Sequence, residues 1–215
     1  MPHNLFTDPI TGQTAMMYVG ITPWHSLGTK LNNPPKSDDA IISAGLDWRV
    51  EKYPLVAKTP HGNIEINDRF AVMREDFKDR PQPHFFAIVS KDYEPLQNIE
   101  AFQFFDDIVG RKEAIYETAG ALGSGERVWI LAKLPESIRV VGDDICDKYL
   151  LLSNSHDGKS SVQIKFTPIR VVCQNTLTMA LSHGTTVRIP HNQNIRKRLS
   201  DSERLLGIIK NRFTS

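Results

Sequence analysis

Ser153, Ser155, His156 and Asp157 lie within one short stretch and supply the side-chain types of a nucleophile, a base and an orienting acid. A catalytic triad needs these groups relayed from separate directions, which neighbours in one tight turn do not readily supply. Asn154 to Gly158 reads more simply as an exposed turn whose Asn and Asp side chains satisfy backbone groups. Cys173 beside His156 or His183 would offer a thiolate pair. Cys173 falls on the apolar face of a predicted helix, however, where burial raises a thiol and hides it. His156, His183, His191 and Cys173 sit on different predicted elements with no shared ligand spacing, and neither HExxH nor CxxC occurs. No metal and no cofactor are expected. Gly120-Ala121-Leu122-Gly123-Ser124-Gly125 only superficially resembles a phosphate loop, because it lacks the following Lys-Ser/Thr and opens no helix.

The remaining polar candidates suit recognition better than catalysis. Glu117, Arg127 and Arg170 are expected on or beside a sheet, with Glu117 and Arg127 as a cross-strand ion pair. Trp24-His25 stands in a Gly/Pro-rich arm and has the groups for stacking, although the plainer expectation is that Trp24 staples the arm to the core. Arg170, Gln174 and Thr178 form one exposed helical row with Asn175 beside it.

Positioning these residues falls to elements read from period and punctuation. Residues 1–36 are rich in Pro, Gly, Asn and Thr and read as an irregular arm. Ser37 caps a short helix through Ala44, with Asp38 and Asp39 in its first turn and Gly45 past its end. Trp48 to Ala57 and Ile64 to Ile66 form a hairpin about Pro60-His61-Gly62-Asn63, Arg69 to Arg74 is a separate short strand, and His84 to Ser90 is a strong one. Lys78 to Pro83 is a polar loop. The apolar period then lengthens over Leu96 to Val109, with three phenylalanines on a core-facing helix.

Ile115 to Leu134 alternates as a hairpin about Gly123-Ser124-Gly125, and Ile138 to Val141 is a further strand before a Gly142-Asp143-Asp144 turn. Two more strands flank His156-Asp157-Gly158. Thr167 as N-cap and Pro168 at the first helical position then predict a helix to Gly184. Thr185 to Ile189 is a short strand, and Gln193 to Phe213 an amphipathic final helix. Strands joined mostly by hairpins predict an α+β fold: a mainly antiparallel, hairpin-rich sheet with three longer helices packed against it. The expected organisation is an arm over 1–36 and one domain over 37–215. The apolar period still runs at Ser215, so the domain is expected to be C-terminally truncated.

Composition is that of an ordinary globular protein, with no apolar run of membrane-spanning length and no secretory leader. Two cysteines, Cys146 and Cys173, both after apolar residues, read as inert buried thiols. The expectation is a cytoplasmic protein with no membrane partner. A net charge of +1 hides an asymmetry: Arg188 to Ser215 carries seven basic residues against Asp201 and Glu203. Arg196, Lys197, Arg198, Arg204, Lys210 and Arg212 form a basic candidate surface for nucleic acid, or else the solvated side of the terminal helix.

Six motifs occur in order: Pro23-Trp24-His25-Ser26-Leu27-Gly28; Ala44-Gly45-Leu46-Asp47-Trp48; Ile88-Val89-Ser90 with Tyr93 and Gln97-Asn98; Glu117 to Leu122 with Gly125 and Arg127; Ser155-His156-Asp157-Gly158; and Arg170 to Leu177. Together they resemble the phage/plasmid-like protein family, domain of unknown function 932. The resemblance implies a context of phage, prophage or plasmid genomes and carries over no catalytic residue. The leading functional expectation is a non-enzymatic accessory protein that binds nucleic acid, single strands included. Its rival is a module that docks on a host or phage protein or on its own copy. A third is an enzyme acting on nucleotides, with Glu117, Arg127, His156 and Asp157 as its polar site.

Overall fold

The computed structural model describes residues 3–75, 84–110, 114–135, 138–139 and 145–202. In chain order the elements are β1 (Met16–Val19), β2 (Thr29–Leu31), α1 (Ser37–Ser43), β3 (Arg49–Thr59), β4 (Gly62–Glu75), β5 (His84–Ser90) and α2 (Asn98–Gly110). There follow β6 (Ile115–Leu122), β7 (Arg127–Lys133), the two-residue strands β8 (Ile138–Arg139) and β9 (Ile145–Cys146), then β10 (Tyr149–Ser155), β11 (Val162–Thr167), α3 (Gln174–Ser182) and β12 (Val187–Ile189). Residues 195–202 are helical and are called α4. Seven strands form the main sheet in the order β12-β11-β10-β7-β6-β1-β2, and β3-β4-β5 form a second. Among the described residues only β1–β2 pair in parallel, so the fold is α+β and mostly antiparallel.

Strand alternation gives the main sheet two buried faces. Val128, Ile130 and Ala132 of β7 with Leu150 and Leu152 of β10 enter a large core with α1, α2 and the second sheet. Trp129, Leu131, Tyr149 and Leu151 enter a smaller core beneath α3. Sandwiching explains why Tyr149–Leu152 is a continuous apolar run. Gly120 stands within β6 for a steric reason: a Cβ there would sit 2.4 Å from the Trp129 ring and 2.6 Å from the Ala15 carbonyl oxygen.

Several sequence expectations are revised. The segment read as an irregular arm contributes β1 and β2, and Met16 and Met17 are wholly buried. Ile64–Ile66 and Arg69–Arg74 belong to one fourteen-residue strand, β4, bent where its register against β3 shifts at Pro54/Leu55. Thr167 caps no helix. It closes β11 opposite Tyr149, and its Oγ1 accepts from the Ile169 N–H. The helix starts at Gln174, whose N–H donates to the His3 carbonyl, and a capping box closes its first turn: the Cys173 side chain accepts from the Thr176 N–H while the Thr176 hydroxyl accepts from the Cys173 N–H. Cys173 is buried, as expected, though as the N-cap and not on a helix face. The Lys78–Pro83 loop, the Gly142–Asp144 turn and half of the Ile138–Val141 strand lie outside the described residues.

Candidate functional site

Two polar groupings gather most of the candidates, one beside each core. The first pins the β1–β2 loop onto the smaller core. Leu27 N–H donates to His25 Nδ1 at 3.1 Å, so His25 Nε2 carries the proton and donates to the Val172 carbonyl at 3.0 Å. Arg170 fans into three acceptors: Glu117 at 2.5 Å through Nε, and the Ile21 and Val19 carbonyls at 2.9 and 2.8 Å. Glu117 reaches it from the register shift in β6 between Tyr116 and Thr118. Beside it the Thr118 hydroxyl donates to the Val171 carbonyl and accepts from the Trp129 indole.

Arg170 is therefore a half-buried clamp and not part of an exposed helical row. The expected Glu117–Arg127 pair does not form: Arg127 lies opposite Leu122 at the far end of the hairpin. Trp24 does not staple the loop either. It is 63 % exposed, and its ring meets His25 edge-on at 5.2 Å. Asn175 is exposed in the first turn of α3.

The second grouping welds the two sheets together, and it revises the exposed-turn reading of His156. The His156 ring is fully buried, stacked on Phe86 and edge-on to Trp48. Asn98 Nδ2 donates to the Leu46 carbonyl, which leaves Asn98 Oδ1 to accept from His156 Nε2 at 3.0 Å. Asn154 Nδ2 donates to the Leu96 carbonyl, and His191 Nδ1 to the Glu94 carbonyl. Thus residues 94 and 96 of the lead-in to α2, and Asn98 at its start, are each held by a side chain from β10, from the turn after it, or from the loop after β12. Tyr93 stacks on His191 and donates to the Ser155 carbonyl.

Electrostatics follow from this burial. Desolvation, helped by nearby His191, pushes the His156 pKa down to about 3, against the pull of Asp157. His191 is also lowered, mainly by burial. Burial works to raise Asp157, but bonds from the Ser155 hydroxyl and from Lys159 outweigh it and hold the carboxyl below its ordinary value. Burial and the Asp157 charge raise Tyr93. A histidine kept neutral this firmly is a poor proton shuttle near neutral pH.

The basic end is only partly free. Arg196 donates to Glu100 at 2.5 Å and to Glu94 at 2.8 Å, bracing α4 against the start of α2. It borders a cleft of about 490 Å³ whose cations Arg49, Lys52 and Arg196 are matched by Glu51, Glu94 and Glu100. Lys197 and Arg198 are exposed, while Arg204, Lys210 and Arg212 lie outside the described residues. Among the described residues no three His, Cys, Asp or Glu side chains come together as a metal site.

Sequence reasoning missed the partners Asn98, Asn154, His191 and Gln97, whose amide bonds both the N–H and the carbonyl of Val50. One signal was available: Ser153-Asn154-Ser155 ends a strand that is otherwise apolar on both faces, so its polar groups need buried partners.

No curated protein and no solved structure matches the chain. A family model described as "Domain of unknown function (DUF932)" matches residues 85–215, which include Glu117, Arg170, Asn98, Asn154, His156 and His191 but not His25 or Trp48. With more than half its length matched, the chain belongs to the DUF932 family.

Proposed function

We propose that this chain is a non-enzymatic nucleic-acid-binding protein, that single strands are its ligand class, and that it serves phage or plasmid genomes. The observation that carries binding over catalysis is the bonding state of the polar candidates. Arg170 and Glu117 engage each other, both His25 nitrogens are bonded, His156 is sealed between aromatic rings, and Asp157 accepts from Ser155 and Lys159. Among the candidates, those most open to a partner are an exposed indole on a pinned loop, Asn175, and the exposed cations Lys197 and Arg198. An indole that keeps its place without being packed is a stacking platform for a base, and lysine and arginine neutralise phosphates.

The indole and the cations belong to opposite faces of the main sheet. Leu27 packs on the smaller core, whereas Ile195 and Leu199 of α4 enter the larger one. A short strand therefore engages one of them. Titration of single-stranded DNA and RNA at two salt concentrations tests the function, with Trp24→Ala and the Lys197→Glu/Arg198→Glu pair deciding the face. The expected result is salt-sensitive binding weakened by one of these changes. Absence of salt-sensitive binding by the wild type at micromolar concentration refutes it.

A further inference from the structure

We propose that two copies of this chain associate through the outer face of the β3–β4–β5 sheet and its ribbon extension. The registers define the two faces. Val50, Val72 and Val89 turn inward and are buried. The opposite face stacks Met73 against Phe85, and Tyr53 against Ala71 against Ile88. Alternation along β3 continues this face into the ribbon, where Leu55 opposes Ile66 and Ala57 opposes Ile64. The result is an apolar row along the second sheet, with Phe85 52 %, Ile88 57 % and Ile64 58 % exposed to either side of the buried Ala71. Large apolar side chains exposed together on one face mark an interaction site.

Three observations favour a second copy as its occupant. The charged residues on this face, Arg49, Arg69, Glu51 and Glu75, cancel. A polyanion gains nothing there, and a face carrying both signs meets its own image without net repulsion, as a two-fold contact requires. Past Pro54 the second sheet narrows to two strands, and a two-stranded ribbon is marginal in water without cover. β3 is an edge strand, but Pro54 removes one of its backbone N–H groups. Addition of a strand at that edge is thereby discouraged, leaving the face as the surface to be covered.

Sedimentation of the full chain over a range of concentrations tests the proposal. The expected result is a concentration-dependent dimer. Ile64→Glu with Ile88→Glu should give a folded monomer whose melting temperature no longer depends on protein concentration. Val56→Glu, on the reverse side of the ribbon, should leave the dimer intact. Energy transfer on mixing donor- and acceptor-labelled wild-type protein gives a second readout should the double variant misfold. A wild type that stays monomeric at every concentration without energy transfer overturns the proposal, whether or not that monomer captures another protein. So does a folded double variant that keeps the wild-type mass.

Discussion

His156 illustrates how one ring joins chemistry to stability. Its Nε2 holds Asn98, and its ring fills the space between Phe86 and Trp48. His156→Ala removes the ring and strands a buried amide oxygen, so a loss of about 2–5 kcal/mol in unfolding free energy is expected from denaturant midpoints. Asp157→Ala should cost less, about 1 kcal/mol, because its carboxylate is held by Ser155 and by an exposed lysine at the edge of the same turn. The pH response follows from the direction of the His156 shift. Its folded pKa, about 3, lies below the ordinary 6.5, so the unfolded chain binds a proton that the folded chain refuses. The stability due to neutral His156 is full above pH 6.5 and is lost as pH falls toward 3. His156→Phe keeps the ring volume and removes the titration. Its urea midpoint should therefore fall less than the wild type's between pH 7 and pH 4.5. Equal slopes would mean that the acid sensitivity belongs to the carboxylates.

At the scale of elements, Arg170 and Gly120 make opposite kinds of prediction. Arg170→Met should free the Val19 and Ile21 carbonyls and leave Glu117, largely buried, without its cation. Roughly 3 kcal/mol and faster proteolysis within residues 20–25 are expected. Gly120→Ala adds one carbon into contact with Trp129 and Ala15, and should cost about 1–3 kcal/mol in thermal or urea unfolding while leaving the loop bonds intact. The elements themselves were legible wherever period and punctuation agreed. The Phe-rich α2 and the Gly-turned β6–β7 hairpin stand within a residue or two of their expected bounds. The α3 start was not, because the Thr167-Pro168 signal is local and the pairing of Thr167 with Tyr149 is not. The sites suffered more than the fold for the same reason. Arg170 and Glu117 are 53 residues apart, and His156 and Asn98 are 58 apart, so their pairing leaves no trace in the spacing of either segment.

At the scale of the whole molecule, the basic end and the acidic body meet at Arg196, and this meeting separates structure from recognition. The formal net charge of +1 suggests no polyanion affinity, and only the uneven distribution of charge does. Arg196 spends its charge on Glu94 and Glu100, as an exposed brace between α4 and α2. Exposed pairs of this kind stabilise weakly, so Arg196→Gln should cost about 1 kcal/mol or less. It should also leave the salt dependence of oligonucleotide binding unchanged, because a cation already paired with carboxylates releases few counterions from a phosphate backbone. Lys197 and Arg198, exposed on the same helix, should behave in the opposite way. Where the α4 face is the one engaged, replacing either with Gln should leave the melting temperature alone and reduce the slope of log affinity against log salt by about one. Should Arg196→Gln flatten that slope instead, the Glu94–Arg196–Glu100 brace must open when nucleic acid arrives, and α4 would then be the moving part of the molecule.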